Sequence, residues 1–498
     1  MTTGTILEAA ATADPTRAAL IIDGRSISYG ELAAVVRQCA ACLSAHGVVA
    51  GQRVAVVDGG SLLSIATLLG LGRIGAAAAL MNPALTPPEL HGLLENAGCA
   101  DVAVAGEPYA GRLREAGALT VLTESDLAAR PSPASPDITD TRDPPNEERD
   151  ALVLFTSGTT GLPKAVLISH DAVVARVSAY RPAYAPGRPP AVGLMCVPSF
   201  HVGGMLGLLL SLYGGDTTVV MPRFDAGRWL QLVERHRVAS AFVVPTMLAR
   251  ILDHPAAATT DVSALRTVAY GAAAAPVPLV QRAMERWPEV AFANTFGQTE
   301  TLGGYTTLTP EDHRDPARIG SVGRALPGVE VRVVDPGSGA DLPDGEVGEL
   351  WVRSPQNVVA GWLHTGDLAR RDADGYLYPS GRMSDTINRG GEKFAPAEVA
   401  DVVRSHPSVA DVGVVGVPDD EMGERVGVAI VVRPGADPPT LEELRSWCRG
   451  RVAPFKLPER LAIADALPYN ELGKLPRRAV ADLITVSAPV ARAATPRR

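Results

Sequence analysis

The chain has 498 residues, more than one hydrophobic core organises, which predicts two or more domains. A formal net charge of −9 argues against nucleic acid or an anionic membrane as the main partner. A composition that is 46% hydrophobic and 20% charged is that of an ordinary globular protein.

The opening residues, MTTGTILEAAATADPTR, lack a basic stretch followed by an apolar core, so no signal peptide is expected. A helix is predicted over 31–47, ELAAVVRQCAACLSAHG. Its Cys39-x-x-Cys42 has no second cysteine pair and reads as core packing, not as a metal or redox site. Five cysteines, odd in number and scattered, predict a reduced, cytoplasmic protein. No apolar run reaches the roughly 18 residues of a membrane span. Segment 61–82 comes nearest, and Arg73 and several glycines interrupt it. Within it GLGRIG (70–75) fits G-x-G-x-x-G in form only. It sits in an apolar helical run with no strand before it, which argues against a dinucleotide site.

Over residues 28–310 apolar helices alternate with short strands such as 53–57, 151–155, 191–197 and 240–245. That alternation predicts parallel sheets covered by helices. The Pro/Asp-rich stretch 131–148 reads as a surface linker. Residues 320–380 carry short strands with Gly/Pro turns, a small β-barrel or meander. After Arg382 come a helix (396–405), strands (410–417 and 426–433) and a helix (440–451), a compact α+β domain. The expected boundaries are 1–383, with the barrel at about 318–380, and 384–498.

Of the 46 basic residues only four are lysines, Lys164, Lys393, Lys456 and Lys474. Each lies in a segment of catalytic character. Arginine serves wherever a generic positive charge is wanted, so the ammonium groups are candidates for single-oxygen contacts that a planar guanidinium makes poorly. The sharpest segment is LVLFTSGTTGLPKAVLISH (152–170): a strand, a loop from Thr156 to Gly161, then Pro163-Lys164 and a predicted helix. Backbone amides freed by glycine, hydroxyl donors and an ammonium make a polyphosphate cradle. The pattern differs from G-x-x-x-x-G-K-[ST], so ordinary P-loop chemistry is disfavoured. NTFGQTET (294–301) offers a lone acid, Glu300, suited to Mg²⁺, which takes few protein carboxylates and shares phosphate oxygens. Phe296 beside it has core packing as an alternative. HTGDLARRDADGYLYPSGR (364–382) supplies Asp367, expected near a strand end where a carboxylate accepts ribose hydroxyls, and Arg382.

These segments in this order resemble the adenylate-forming superfamily of acyl-CoA synthetases, firefly luciferase and peptide-synthetase adenylation domains, over about residues 28–480. The resemblance implies a large α/β N-terminal domain of two helix-covered sheets with a small β-barrel, followed by a small mobile α+β C-terminal domain. It assigns nucleotide binding to Thr156, Ser157, Gly158, Thr159, Thr160, Gly161, Gly271, Ala272, Asn294, Phe296, Gly297, Thr299, Asp367, Arg382 and Lys474. Catalysis falls to Thr156, Lys164, His201, Glu300 and Lys474, with Glu300 as the metal ligand. Arg389, Gly390, Gly391, Glu392 and Lys393 would meet CoA. Phe200, His201, Val244, Ala273 and Gly303 would line an acyl pocket, and Ser384 would be the hinge.

The implied activity joins a hydrophobic carboxylic acid to CoA, with ATP and Mg²⁺. The acid attacks the α-phosphorus to give acyl-AMP and pyrophosphate, and a thiol then displaces AMP. Rotation about Ser384 would exchange Lys474 for the 389–393 loop between the two steps. Two departures or gaps leave alternatives open. NVVAGWLHTGD (357–367) joins directly two segments that the family usually separates, which allows an enzyme acting mainly on preformed acyl-adenylates. The acceptor could also be a carrier protein. The implied partners are the small-molecule acid, ATP and CoA, without nucleic acid or a membrane span; a homodimer is left as an alternative to a monomer.

Overall fold

The computed structural model describes residues 2–128, 149–156, 163–470 and 473–487. The predicted linker at 131–148 and loop residues Ser157–Gly161 lie outside them. Tertiary contacts divide the chain into two units: Met1–Glu330 with Arg353–Leu363, and Val331–Val352 with His364–Arg498.

Among the described residues the first unit holds two sheets. One has six strands in the order Thr120–Leu122, Val102–Ala105, Arg53–Val57, Ala77–Met81, Asp150–Thr156 and Lys164–Ser169. The first five run parallel and the last is antiparallel. Strand 77–81, AAALM, is buried along its whole length, as a central parallel strand with both faces covered must be. The other sheet has nine strands, of which a parallel block runs Ala291–Gln298, Thr267–Gly271, Ser240–Val243, Val192–Met195, Thr217–Val220 and Ala18–Ile22.

The helix predicted at 31–47 forms as Tyr29–Ala45. Ser28 starts it: its hydroxyl accepts from the Glu31 amide at 3.2 Å, and the Glu31 carboxylate accepts from the Ser28 amide at 2.7 Å, a reciprocal cap. Leu32, Val36, Cys39 and Leu43 make its buried stripe. Cys39 and Cys42 are core residues, and burial pushes the Cys39 thiol up to about 12. GLGRIG lies within the helix Leu62–Ile74 and its left-handed cap Gly75, as expected. A Cβ on Gly72 would come within 2.3 Å of Thr3 Oγ1, so this glycine lets the N-terminal turn Thr3–Thr5 pack onto the helix.

One expectation is corrected here. After Pro163-Lys164 the chain forms the strand Lys164–Ser169, not a helix; the helix His170–Tyr180 starts only after that strand, with Ser169 as its cap. Val166 and Ile168 are buried while Lys164 and Leu167 are exposed, and that two-residue period with β-branched residues outweighs the Pro-Lys start signal.

Residues 330–382, which fall in the second unit except for Glu330 and Arg353–Leu363, take the meander alternative. Strands Glu330–Val334, Val347–Arg353, Leu363–Arg371 and Leu377–Arg382 are hydrogen-bonded in chain order. A separate sheet is built on the hairpin of Val409–Asp419 and Gly423–Val432. One core holds Val412, Val414, Val428 and Ile430 with Val399 and Val403 of the helix Pro396–Arg404. Another holds Val415, Val417 and Ala429 with Val480 and Ile484 of the helix Arg477–Ser487. The helix predicted at 440–451 is shorter, Leu441–Cys448, because Arg449 turns extended and Gly450 is left-handed. No helix among the described residues is long and apolar enough to cross a membrane.

Candidate functional site

The expected residues of the first unit gather at the carboxyl ends of parallel strands, where open α/β sheets bind ligands. Thr156 ends strand 150–156 and lies directly opposite Lys164, the first residue of the antiparallel strand. The two thus sit at the mouth of the loop predicted to cradle phosphate.

Gly271 ends strand 267–271, and Ala272 follows with φ +66°, a left-handed backbone uncommon for a residue with a Cβ. The neighbouring strand runs further than expected, through Gln298, and carries Asn294, Phe296 and Gly297. Gly271 pairs with Thr295 in register, and a Cβ on it would come within 2.2 Å of the Thr295 carbonyl. Gly297 is held as closely by the Gly303 carbonyl, at 2.1 Å from where a Cβ would stand. Phe296 meets the ring of Tyr305 edge-on, centroids 5.3 Å apart, so it packs as well as borders the site.

Thr299, Glu300 and Thr301 form a single 3₁₀ turn. The Thr301 hydroxyl donates to the Gly303 carbonyl at 2.6 Å and accepts from the Gln298 amide at 3.1 Å, which fixes the turn. Leu302 and Gly303 then take positive φ and reverse the chain into the strand Gly303–Leu308. Glu300 is half-buried. No group of three or more potential metal ligands exists among the described residues. A single half-buried carboxylate nevertheless fits Mg²⁺, which takes few protein carboxylates and fills its remaining positions with phosphate oxygens and water.

The segment 357–367, expected to join directly two stretches that the resembled family separates, is tied into this same turn. The Val358 amide donates to the Glu300 carbonyl at 3.0 Å. Next to it, Arg176 donates to Gln356 Oε1 at 2.8 Å and also to the Gly304 carbonyl.

The predicted acyl-pocket residues separate. Val244 is fully buried and belongs to the core. Phe200 and His201 are half-buried, ring centroids 4.6 Å apart, with His201 at the start of the helix Val202–Gly214. Ala273 and Gly303 are also half-buried. The nearby cavity, of about 320 Å³, lies between that helix and the face of the nine-stranded sheet. Gly203, Gly207, Leu210 and Ser211 line it from the helix; Gly193, Met195, Ser240, Phe242, Thr267 and Ala269 line it from the strands. None of these was singled out from the sequence. The available signal was Gly203 and Gly207, one turn apart in an otherwise Leu-rich helix.

In the second unit Asp367 lies inside strand 363–371, not near its end, and pairs across the ladder with Arg382. Arg382 Nε donates to Asp367 Oδ1 at 2.9 Å. Asp367 is buried, whereas Arg382 is exposed. Ser384 lies in the exposed turn Met383–Asp385, and its carbonyl accepts from Arg477 at 3.0 Å.

Arg389 and Glu392 face each other across a two-residue turn in which Gly390 and Gly391 both have positive φ. Lys393 pairs in register with Asn388. Arg389 itself makes a two-pronged bond to Glu459, both contacts 2.8 Å. Burial pushes the Glu459 carboxyl up, but the bonds from Arg389 and from the Val426 amide hold it below the usual carboxylate range. Lys474 is exposed, and its amide donates to Asn470 Oδ1 at 2.8 Å. Lys456, the lysine without an assigned role, pairs with Glu398 and lies over the rings of Phe394 and Phe455.

Comparison with known proteins gives the family. The model of the AMP-binding enzyme family matches residues 7–363, and that of the AMP-binding enzyme C-terminal domain matches 398–474. The fatty acid–[acyl-carrier-protein] ligase ScoC of Streptomyces coeruleorubidus is 31% identical over 94% of each chain. A feruloyl-CoA synthase of an Amycolatopsis species is 33% identical over 91% of this chain and 93% of its own. O-succinylbenzoate coenzyme A synthetase of Bacillus subtilis, solved with ATP and magnesium ion, superposes with a TM-score of 0.81 at 28% identity, over 95% of this chain and 98% of that one. With a family model spanning well over half its length, the chain belongs to the AMP-binding enzyme family.

Proposed function

We propose that the protein is an AMP-forming acyl-CoA ligase, converting a largely apolar carboxylic acid, ATP and CoA to acyl-CoA, AMP and pyrophosphate. The observation that carries this reading is the placement of Gly271, Ala272 and Asn294–Glu300 at adjacent strand ends, on the sheet that also forms the 320 Å³ cavity. A nucleotide and an acyl group there would be neighbours.

In this reading Thr156 and Lys164, with loop residues Ser157–Gly161, hold the triphosphate. Glu300 holds Mg²⁺, which when bound neutralises phosphate charge. Asp367 and Arg382 take the ribose. The acid's carboxylate attacks the α-phosphorus and pyrophosphate leaves. Lys474 offers positive charge to the oxygens where negative charge gathers, and so acts as an electrostatic stabiliser, not as a base. The CoA thiolate then attacks the acyl carbon and AMP departs. Gly390 and Gly391 shape the thiol-side hairpin, and Ser384 is the joint about which the C-terminal residues from 384 onward turn between the steps.

A carrier-protein thiol is the second candidate acceptor, favoured by the likeness to ScoC. A reduced cytoplasmic setting fits the five free cysteines. Light scattering decides between monomer and homodimer. The direct test of function is mass spectrometry of reactions with ATP, Mg²⁺, CoA and a panel of acids, beside reactions given synthetic acyl-adenylates. Acyl-CoA from free acids establishes the complete ligase. Acyl-CoA from adenylates alone restricts it to the second step, and acyl transfer only to a carrier protein moves the acceptor.

A further inference from the structure

The cavity beside the helix Val202–Gly214 has two chemically different ends. Toward the helix start, two residues past His201, its wall is Gly203, Met195, Phe242 and Ala269. Toward the helix end it is lined by Tyr180, Arg181, Ser211, Asp216, Thr218 and Ser240. From Gly203 to Ser211 the helix rises by roughly 12 Å. The strands agree with this direction, because Phe242 and Ala269 lie further toward the carboxyl ends than their neighbours Ser240 and Thr267.

The far end is polar in a definite way. Thr218 donates its hydroxyl to Ser211 at 2.7 Å. The buried Asp216 carboxylate accepts from the Ala191 amide at 3.0 Å and from Arg188 at 3.1 Å, and it pairs with Arg181. Two guanidinium groups therefore share one carboxylate, and the Arg181 side chain keeps 29% of its surface exposed. An alkyl chain alone would cover these groups without replacing their hydration, at a cost typical of burying unpaired polar groups. A carboxylate would instead accept from them.

Building on the ligase reading, we propose that the acid is bifunctional. Its reacting carboxyl lies beyond Gly203, an apolar stretch of roughly 12 Å fills the groove, and a second, anionic carboxylate ends at Arg181 and the Ser211–Thr218 hydroxyls. Sebacic acid is the matching probe and decanoic acid its control, two acids that differ only in the terminal group.

The test is kcat/KM for acid-dependent pyrophosphate release with each acid, in the wild type and in Arg181→Gln, Ser211→Ala and Gly207→Leu. Sebacic acid is expected to be preferred at least tenfold. Arg181→Gln should bring the ratio of the two acids toward one, and Ser211→Ala should lower it in a protein whose buried ion pair is untouched. Gly207→Leu should reduce both acids together by more than tenfold, since a Cβ there meets nothing within 4 Å and the side chain is free to fill the groove. Equal use of both acids by the wild type overturns the proposal, as does a ratio unmoved by Arg181→Gln and Ser211→Ala. Turnover of other acids but neither of these also overturns it. If no acid at all supports pyrophosphate release, it is the ligase reading that fails.

Discussion

The amide of Val358 donates to the carbonyl of Glu300 at 3.0 Å, so the short segment before the Asp367 strand is fastened to the residue assigned to the metal. Substituting Val358→Pro removes that donor. A neutral hydrogen bond contributes about 1 kcal/mol, so acid-dependent pyrophosphate release is expected to fall roughly fivefold, with thioesterification of a supplied acyl-adenylate nearly unchanged. Parallel assays of the two half-reactions check this; equal losses in both would show that the bond merely supports the fold.

The same segment tests whether its brevity limits the first step. Gly361 has φ +83° and open space around its Cβ position, so an insertion beside it meets no packed neighbour. Grafting a family-like insert there should raise pyrophosphate release. No change would sink the idea that the missing residues restrain adenylation.

Glu300→Gln keeps the shape of the half-buried side chain and removes its charge. Pyrophosphate release should drop on the order of 100-fold, the usual effect of losing one electrostatic contact to a transition state. The concentration of Mg²⁺ needed for half-maximal rate should rise. A thermal midpoint within a few degrees of wild type would separate this from unfolding.

Lys474 and the Gly390–Gly391 turn should split the two half-reactions. Lys474→Ala is expected to slow adenylation at least 100-fold and thioesterification less than threefold. Gly391→Ala forces a Cβ into φ +95°, which costs about 1–2 kcal/mol. It should impair mainly the thiol step. Single-turnover measurement of each step decides, and matched losses in both would remove the assigned division of labour.

Acid should weaken the protein in two stages. Burial, and the positive charge of Arg149, lower His170 from 6.5 to about 4, although Asp171 opposes them. The folded state keeps this imidazole neutral, so its contribution is complete above pH 6.5 and is lost as pH falls toward 4, up to roughly 3 kcal/mol. Glu459, held below its ordinary 4.5, contributes above that pH and loses the contribution as pH falls through its lowered value. Thermal unfolding followed from pH 8 to pH 3 should therefore soften first through His170. His170→Gln should flatten the upper stage only.

The candidate site residues were picked out because the expected chemistry demands particular side chains. Glu300, Asp367, Arg382 and Lys474 stand out as types in context, and Asp367 and Arg382 prove to be cross-strand partners although 15 positions apart. The helix assigned after Lys164 was misread because a Pro-Lys pair resembles a helix start, while the Val166/Ile168 alternation is only a few residues long. The cavity was out of reach for a different reason. Strand 240–243 inserts between 192–195 and 267–271, which puts Gly193 beside Ser240, and no linear pattern announces that neighbour. Val243 and Val244, plausible wall residues by type, point into packed core.

The groove owes its width at Gly207 to a missing side chain, in a place where the backbone is helical and a Cβ would touch nothing. A change there alters the room offered to the acid without disturbing a buried contact. Few positions in a folded chain combine so direct an influence on selectivity with so little structural consequence. Descendants of this sequence could move between long, short and branched acids by single substitutions, and an engineer seeking a new substrate would begin at the same residue.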